Sequence, residues 1–339
     1  MNKISVSIII PFFNEEKHIS KCLDSIIKND YPKNLLEIIL INGNSEDNTV
    51  KKIQEYQKKV PYIFLKQNPK REIPISLNIG IKAAQNDCII RLDAHSHYPS
   101  NYVSLCTKYL KEYQKEKVAN VGGVLIVEPG ANTKFARAIA NIYSSSFGVG
   151  NSTFRTGNLE SPKFVDTVPF GTYYKKLFDE IGLYNEDIPR SEDIDLSKRI
   201  IEKGYKLLLV PEIKVYYHAR SDFFDFCRHT FINGYHVTFP LNKGRMLFEL
   251  RHLIPCFFAF FILLSIATIK IDLLCYLSLS IYTLYFSLTG YFSYKVKNNT
   301  HLFFYNSFTF FLYHCTYGFG SVWGLYEALI IRIKRLKNG

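Results

Sequence analysis

Through about residue 250 the chain alternates short, nearly unbroken apolar runs with longer segments in which apolar residues recur at helical spacing. The runs "SVSIIIPF" (5–12), "LEIILING" (36–43), "YIFLKQ" (62–67) and "DCIIRLDA" (87–94) are short and close to continuously apolar. That is the signature of strands covered on both faces. Between them, "EKHISKCLDSIIKN" (16–29), "SEDNTVKKIQEYQKK" (45–59) and residues 74–86 follow the helical period, the second opening on Ser45 as an N-terminal cap. Strand–helix alternation predicts an α/β fold with a mostly parallel central sheet. Ligands of such sheets gather where the strands end. Pro11, Asn42 and Asp93 all stand at predicted strand C-termini and could converge on one edge.

Past residue 250 the pattern changes. Three stretches, 253–269, 273–294 and 302–326, contain no Asp, Glu, Lys or Arg. A spanning helix needs ~20 apolar residues, so the second and third are long enough and the first is marginal. Lys243, Arg245 and Arg251 precede the first stretch, Lys295 and Lys297 follow the second, and Arg332, Lys334, Arg335 and Lys337 follow the third. Basic flanks favour the cytoplasmic side. The first two stretches satisfy this as a hairpin. Gly318 and Gly320 would let the third break and return, or some of these helices lie in the interface. The aromatic and basic mixture at 222–252 suits a helix on a membrane surface, or a partly exposed packing helix. The predicted organisation is an α/β domain over 1–225, an interface segment over 226–252, two to three membrane helices over 253–331 and a basic tail over 332–339.

Composition narrows the partners. Of 339 residues 47% are apolar, and the net charge is +12. A basic cluster directly after an apolar tail suits a membrane surface, and no nucleic-acid-binding motif is present. The seven cysteines form no Cys-x-x-Cys pair, which speaks against a zinc cluster or disulfide framework and for a reducing compartment. The N-terminal apolar run is broken by Pro11 and followed by acids, so it is a first strand rather than a signal peptide.

The candidate chemistry lies at the strand ends. An apolar strand ending in Asp-x-Asp commonly holds a divalent metal beside a nucleotide diphosphate; here the stretch is Asp93-Ala94-His95. The plain alternative is a strand end with a polar turn. "PRSEDIDLSKRI" sets Glu192 and Asp193 at the start of an amphipathic helix, where the dipole favours ionised carboxylates. An ionised carboxylate can act as a base; the plain alternative is an ordinary helix start. His218 ends another predicted strand and is either a third ligand or a packed histidine, while His97 is a turn residue. Together these parts could neutralise a nucleotide-sugar's diphosphate while a carboxylate takes the proton of an attacking hydroxyl.

The ordered set "SIIIPFFNEEKHI", "INGNSEDNT", "NPKREIPISLNIGIKAAQNDCIIRLDAHSHYP", "VGGVLIVEPG", "FVDTVPFGTYYKKLFDEIGLYNED" and "SEDIDLSKRI" resembles the family 2 inverting glycosyltransferases, in particular the succinoglycan-type exopolysaccharide enzymes, over about residues 4–240. The resemblance implies a GT-A catalytic domain with C-terminal membrane-associated helices. It implies that Pro11, Phe13 and Glu15 line a base and ribose pocket and that Lys70 and Arg71 lie near the donor phosphates. It also implies Asp93 and His95 as the metal motif and Asp193 as the base, with Glu192 beside it. Asn42 falls where the family usually has Asp to bond the nucleobase; a carboxamide both accepts and donates, which puts base preference in question. An imidazole ligand favours Mn²⁺ over Mg²⁺. The expected activity is transfer of a hexose from a nucleotide-sugar, UDP-linked, to a lipid-linked saccharide at the cytoplasmic membrane, with the catalytic domain facing the cytoplasm. Transfer to a polyprenyl phosphate, or a catalytically impaired nucleotide-sugar-binding protein, are the alternatives. A processive synthase would carry Gln-x-x-Arg-Trp, and the single Trp, Trp323, lies deep in the tail.

Overall fold

A computed structural model describes residues 3–157, 159–296 and 300–338, so Lys297 lies outside the described residues, as does the side chain of Lys337. Along the chain run β1 (Val6–Phe12), α1 (Ile19–Ile27), β2 (Leu36–Asn42), α2 (Thr49–Gln57), β3 (Ile63–Gln67), α3 (Ile73–Ala83) and β4 (Cys88–Arg91). Next come β5 (Ser96–His97), α4 (Tyr102–Glu112), β6 (Val118–Glu128), α5 (Lys134–Tyr143), α6 (Ser146–Val149) and α7 (Thr153–Thr156). After these follow β7 (Lys163–Val165), β8 (Thr172–Tyr174), α8 (Leu177–Ile181), α9 (Glu192–Glu202) and β9 (Lys206–His218). The helices α10 (Phe223–Thr238), α11 (Leu250–Ala267), α12 (Asp272–Lys295) and α13 (Phe303–Asn338) complete the chain.

The nine-stranded sheet runs β3-β2-β1-β4-β8-β6-β9-β5, with β7 on β9. The first four strands are parallel, and the β4–β8, β8–β6, β9–β5 and β9–β7 pairs are antiparallel. All seven residues of β2 and all but Pro11 of β1 are buried. Helices cover both faces of such strands, which explains the unbroken apolar runs. Gly80 lets α3 lie directly on β1, because a Cβ there would overlap the Ile9 side chain.

Two elements start or stop earlier or later than their patterns predict. Helix α2 begins at Thr49 rather than Ser45, because Asp47 Oδ1 accepts from Thr49 N at 3.0 Å and the Ser45 hydroxyl accepts from Asn14 N at 3.0 Å. Strand β4 stops at Arg91, so Asp93 sits in the turn beyond it.

The chain divides into two compact units, one of Met1–Ile126 with Gly157–Tyr217, the other of Val127–Thr156 with His218–Gly339. Residues 127–156 therefore group with the helical tail, whereas the sequence pattern places them within an α/β domain over 1–225. In the second unit α10 packs along α13, where Gly234, Gly320 and Gly324 face the backbone carbonyls of Tyr317, Phe231 and Tyr235. Gly318 faces the Pro255 carbonyl of α11 in the same way. Gly318 and Gly320 thus do not break α13, which is one continuous helix; they let its neighbours approach, as small residues do between tightly packed helices. Helices α11 and α12 are each long and apolar enough to cross a membrane, with mean hydropathy of 2.0 and 1.4.

Candidate active site at the strand ends

The first unit brings the C-terminal turns of β1, β2, β3 and β4 together, because parallel neighbours end on one side. The register aligns Phe12 with Asn42 and Asn42 with Gln67. The β1 turn is fastened to the β2 turn: Glu15 N donates to Thr49 Oγ1 at 2.9 Å, and Glu16 N to Asp47 Oδ2 at 3.1 Å. Asn14 holds a left-handed φ of 53° there, and its Oδ1 accepts from Glu46 N at 2.8 Å. Asn accommodates that conformation better than most residues.

These fastenings set the predicted site residues. Phe13 is exposed, and the Arg71 guanidinium lies 4.9 Å from its ring centroid while also pairing with Glu46 at 2.7 Å. Lys70 is exposed and half-buried Pro11 lies at the end of β1. Asn42 is buried, and both ends of its carboxamide are engaged: Oδ1 accepts from Ser45 N at 2.8 Å and Nδ2 donates to Gln67 Oε1 at 2.9 Å.

Asp93 is half-buried, with its backbone N donating to the Tyr98 hydroxyl at 3.0 Å. His95 Nδ1 lies 3.1 Å from Glu15 Oε1. Thus two residues expected to serve different subsites, ribose and metal, touch one another. Donation from Nδ1 to the carboxylate leaves Nε2 as the ring's lone-pair nitrogen. A carboxylate oxygen and an imidazole nitrogen suit a Mn²⁺-class cation, so Asp93 and His95 fit the group their spacing predicts. His218 belongs to the second unit, where its Nδ1 lies 3.5 Å from Glu128 Oε2. His97 is in β5, stacked on Tyr216 at 4.8 Å, rather than in a turn.

Arg91 is the residue that sequence reasoning missed. Its Nη2 lies 3.4 Å from Asp93 Oδ1 and 3.4 Å from Glu192 Oε1, with 13% of its side chain exposed. Burial alone would lower its pKa, but Asp93 and then Glu192 outweigh that and raise it. Its Nε is buried without a hydrogen-bond partner among the described residues. Glu192 is buried, and burial and then the charge of Asp193 raise its carboxyl pKa, against the opposing Arg91. The helix dipole, which favours an ionised Glu192, is therefore outweighed by desolvation at this position. Asp193 is half-buried, its Oδ1 accepting from Ile194 N at 2.9 Å. Ser191 opens the helix at a left-handed φ of 65°. The sequence signal for Arg91 was an arginine inside an otherwise apolar strand, which cannot stay buried unless carboxylates meet it.

The arrangement has a cationic group between two carboxylates, a second imidazole–carboxylate pair, and an adjacent carboxylate facing the same end of the sheet. It can hold a dication and a phosphorylated ligand and accept a proton from a hydroxyl.

A curated relative, "Dolichyl N-acetyl-alpha-D-glucosaminyl phosphate 3-beta-D-2,3-diacetamido-2,3-dideoxy-beta-D-glucuronosyltransferase" of Methanococcus voltae, is 30% identical over 329 residues, 95% of this chain and 98% of that protein. Succinoglycan biosynthesis protein ExoA of Rhizobium meliloti is 25% identical over 75% of this chain and 76% of its own length. Among solved structures, the mannosyltransferase PcManGT from Pyrobaculum calidifontis, in complex with GDP-Man and Mn²⁺, superimposes with a TM-score of 0.61 at 15% identity. It covers 96% of this chain and 88% of its own, so the fold is GT-A. The glycosyl transferase family 2 profile matches residues 7–182, which span β1 through α8, and the chain belongs to that family of glycosyltransferases.

Proposed function

We propose that this glycosyltransferase moves a hexose, with inversion, from a UDP-sugar to a lipid-linked saccharide that is a precursor of a surface polysaccharide. The observation that carries the reading is Arg91 held between Asp93 and Glu192, beside Asp193, at the strand ends. The named dolichyl-phosphate substrate of the Methanococcus relative supports a lipid-linked acceptor. The succinoglycan role in the name of the Rhizobium relative supports the polysaccharide. Helices α11 and α12 would form a membrane hairpin, with Arg251 and Lys295 at its two open ends, anchoring the enzyme at the cytoplasmic face.

In this reading Phe13 and Arg71 flank the nucleoside, and Lys70 approaches its phosphates. Asp93 and His95 would hold a divalent cation, Mn²⁺ in preference to Mg²⁺. The cation supplies charge neutralisation of the departing diphosphate. Asp193 receives the proton of the acceptor hydroxyl as it attacks the anomeric carbon. Assigning Asp193 as the base that takes the acceptor proton supports direct displacement and inversion.

Membrane fractions supplied with a panel of nucleotide-sugars test this through nucleoside diphosphate release. Release should require a divalent cation, be faster with Mn²⁺, and be lost in Asp93→Ala and in Asp193→Ala. His95→Ala should erase the Mn²⁺ preference. Undiminished turnover in Asp193→Ala would remove the base assignment.

A further inference from the structure

Asn42 matches the family's base-reading position, yet it is buried and each end of its carboxamide already holds a partner. Ser45 N is a backbone donor, so the Asn42 atom facing it at 2.8 Å must be the oxygen. The other atom is then the amide nitrogen, and it points at Gln67 2.9 Å away. Gln67 must therefore present its oxygen inward. One backbone N–H thus fixes the orientation of both side-chain amides, an assignment that distance alone leaves ambiguous. Gln67 is exposed at the end of β3, and its Nε2 has no hydrogen-bond partner among the described residues. The polar group offered at the β2–β3 corner is consequently a pair of donors, where a carboxylate would offer acceptors. The neighbouring Phe13 ring and Arg71 guanidinium, with Gly43 close to both, provide a flat apolar and cationic flank for a base.

We propose that Gln67, and not Asn42, reads the nucleobase, by donating from Nε2 to the carbonyl at uracil C4 or guanine C6. This rests on the nucleotide-sugar reading above. A keto base such as uracil or guanine presents that carbonyl. Cytosine and adenine present an amino group at the equivalent place and leave two donors face to face.

The test is calorimetric binding of UDP, GDP, CDP and ADP, with Mn²⁺, to the full-length protein in detergent. Wild type should bind UDP and GDP roughly tenfold more tightly than CDP and ADP, the scale of one neutral hydrogen bond made against one left unmade. Gln67→Glu keeps the acceptor for Asn42 but turns the outer group into an acceptor, so the UDP:CDP preference should fall at least about tenfold and move toward CDP. Gln67→Leu should bring the two affinities within about twofold. Gln67→Glu keeps the acceptor for buried Asn42, whereas Gln67→Leu strands the Asn42 amide, so the Glu variant is the one that changes the outer group alone. Wild-type binding with an unchanged UDP:CDP ratio in both variants overturns the Gln67 assignment alone. Failure of wild type to bind any of the four diphosphates overturns the donor reading and the assignment with it.

Discussion

Replacing Arg91 by Met keeps the stem's volume and removes its charge. Both carboxylate contacts of Arg91 are at 3.4 Å, with exposures of 13% for Arg91, 22% for Asp93 and 6% for Glu192. At an effective dielectric near 20, each pair at this distance is worth about 5 kcal/mol of raw attraction. Removing one partner of a buried pair costs about 3–5 kcal/mol once desolvation is included. Two features pull the figure to the lower end. The contacts are longer than close hydrogen bonds, and the Glu192 carboxyl pKa is already pushed up to about 7, so it can take up a proton when stranded. We expect a loss of about 3 kcal/mol at neutral pH, which is about 6–12 °C in the melting midpoint for a unit of this size. The double variant Arg91→Met with Glu192→Gln should recover about half, since no buried carboxylate is then stranded at Glu192, giving a coupling above about 1 kcal/mol. Thiol-reactive fluorimetry is suited to the measurement, because Cys22, Cys88 and Cys106 are fully buried in this unit and label only on unfolding. A melting midpoint for Arg91→Met within about 2 °C of wild type, or strict additivity in the double variant, would refute the ion-pair account.

Two further outcomes follow from the same structure. With the Glu192 pKa raised in the folded state, the native protein holds a proton that the unfolded chain has released, so stability falls as pH rises from about 5 to about 8. Glu192→Gln should lose that slope and gain on wild type toward alkaline pH; parallel melting profiles would refute it. In the helical unit, Gly320→Ala drives a Cβ into the Phe231 carbonyl, which cannot yield, and should cost about 1–3 kcal/mol. Gly290→Ala meets only ordinary contact with Phe303 and should be neutral or stabilising by up to about 1 kcal/mol, so equal melting losses at both sites would refute the packing argument.

Much of this protein was legible in its residues. Unbroken apolar runs specify strands covered on both faces, and such strands leave their polar turns at one end, so Pro11, Asn42 and Asp93 fall at one sheet edge. The α12 segment was readable in the same way, since length and apolarity are local properties; α11, marginal by length, also qualifies as a span, while among the described residues α13 does not. Spacing could not tell what a glycine is for. Gly318 and Gly320 favour a break when only backbone freedom is considered, but in contact with α11 and α10 they are the points where chains meet.

What the sequence alone determined was whatever depends on neighbours along the chain: the alternation of elements, the strand-end turns, the apolar tail and the acidic start of α9. Only the tertiary structure decided which polar groups are already spent. The motif pattern predicts base contact for Asn42, yet folding buries it and gives each end of its carboxamide a partner in Ser45 or Gln67. Glu192 begins a helix, which favours its charge, yet burial beside Asp193 favours its proton, and Arg91 from a distant strand opposes that without reversing it. Desolvation and pairing depend on what folding brings within a few ångströms, and that is written in no local pattern.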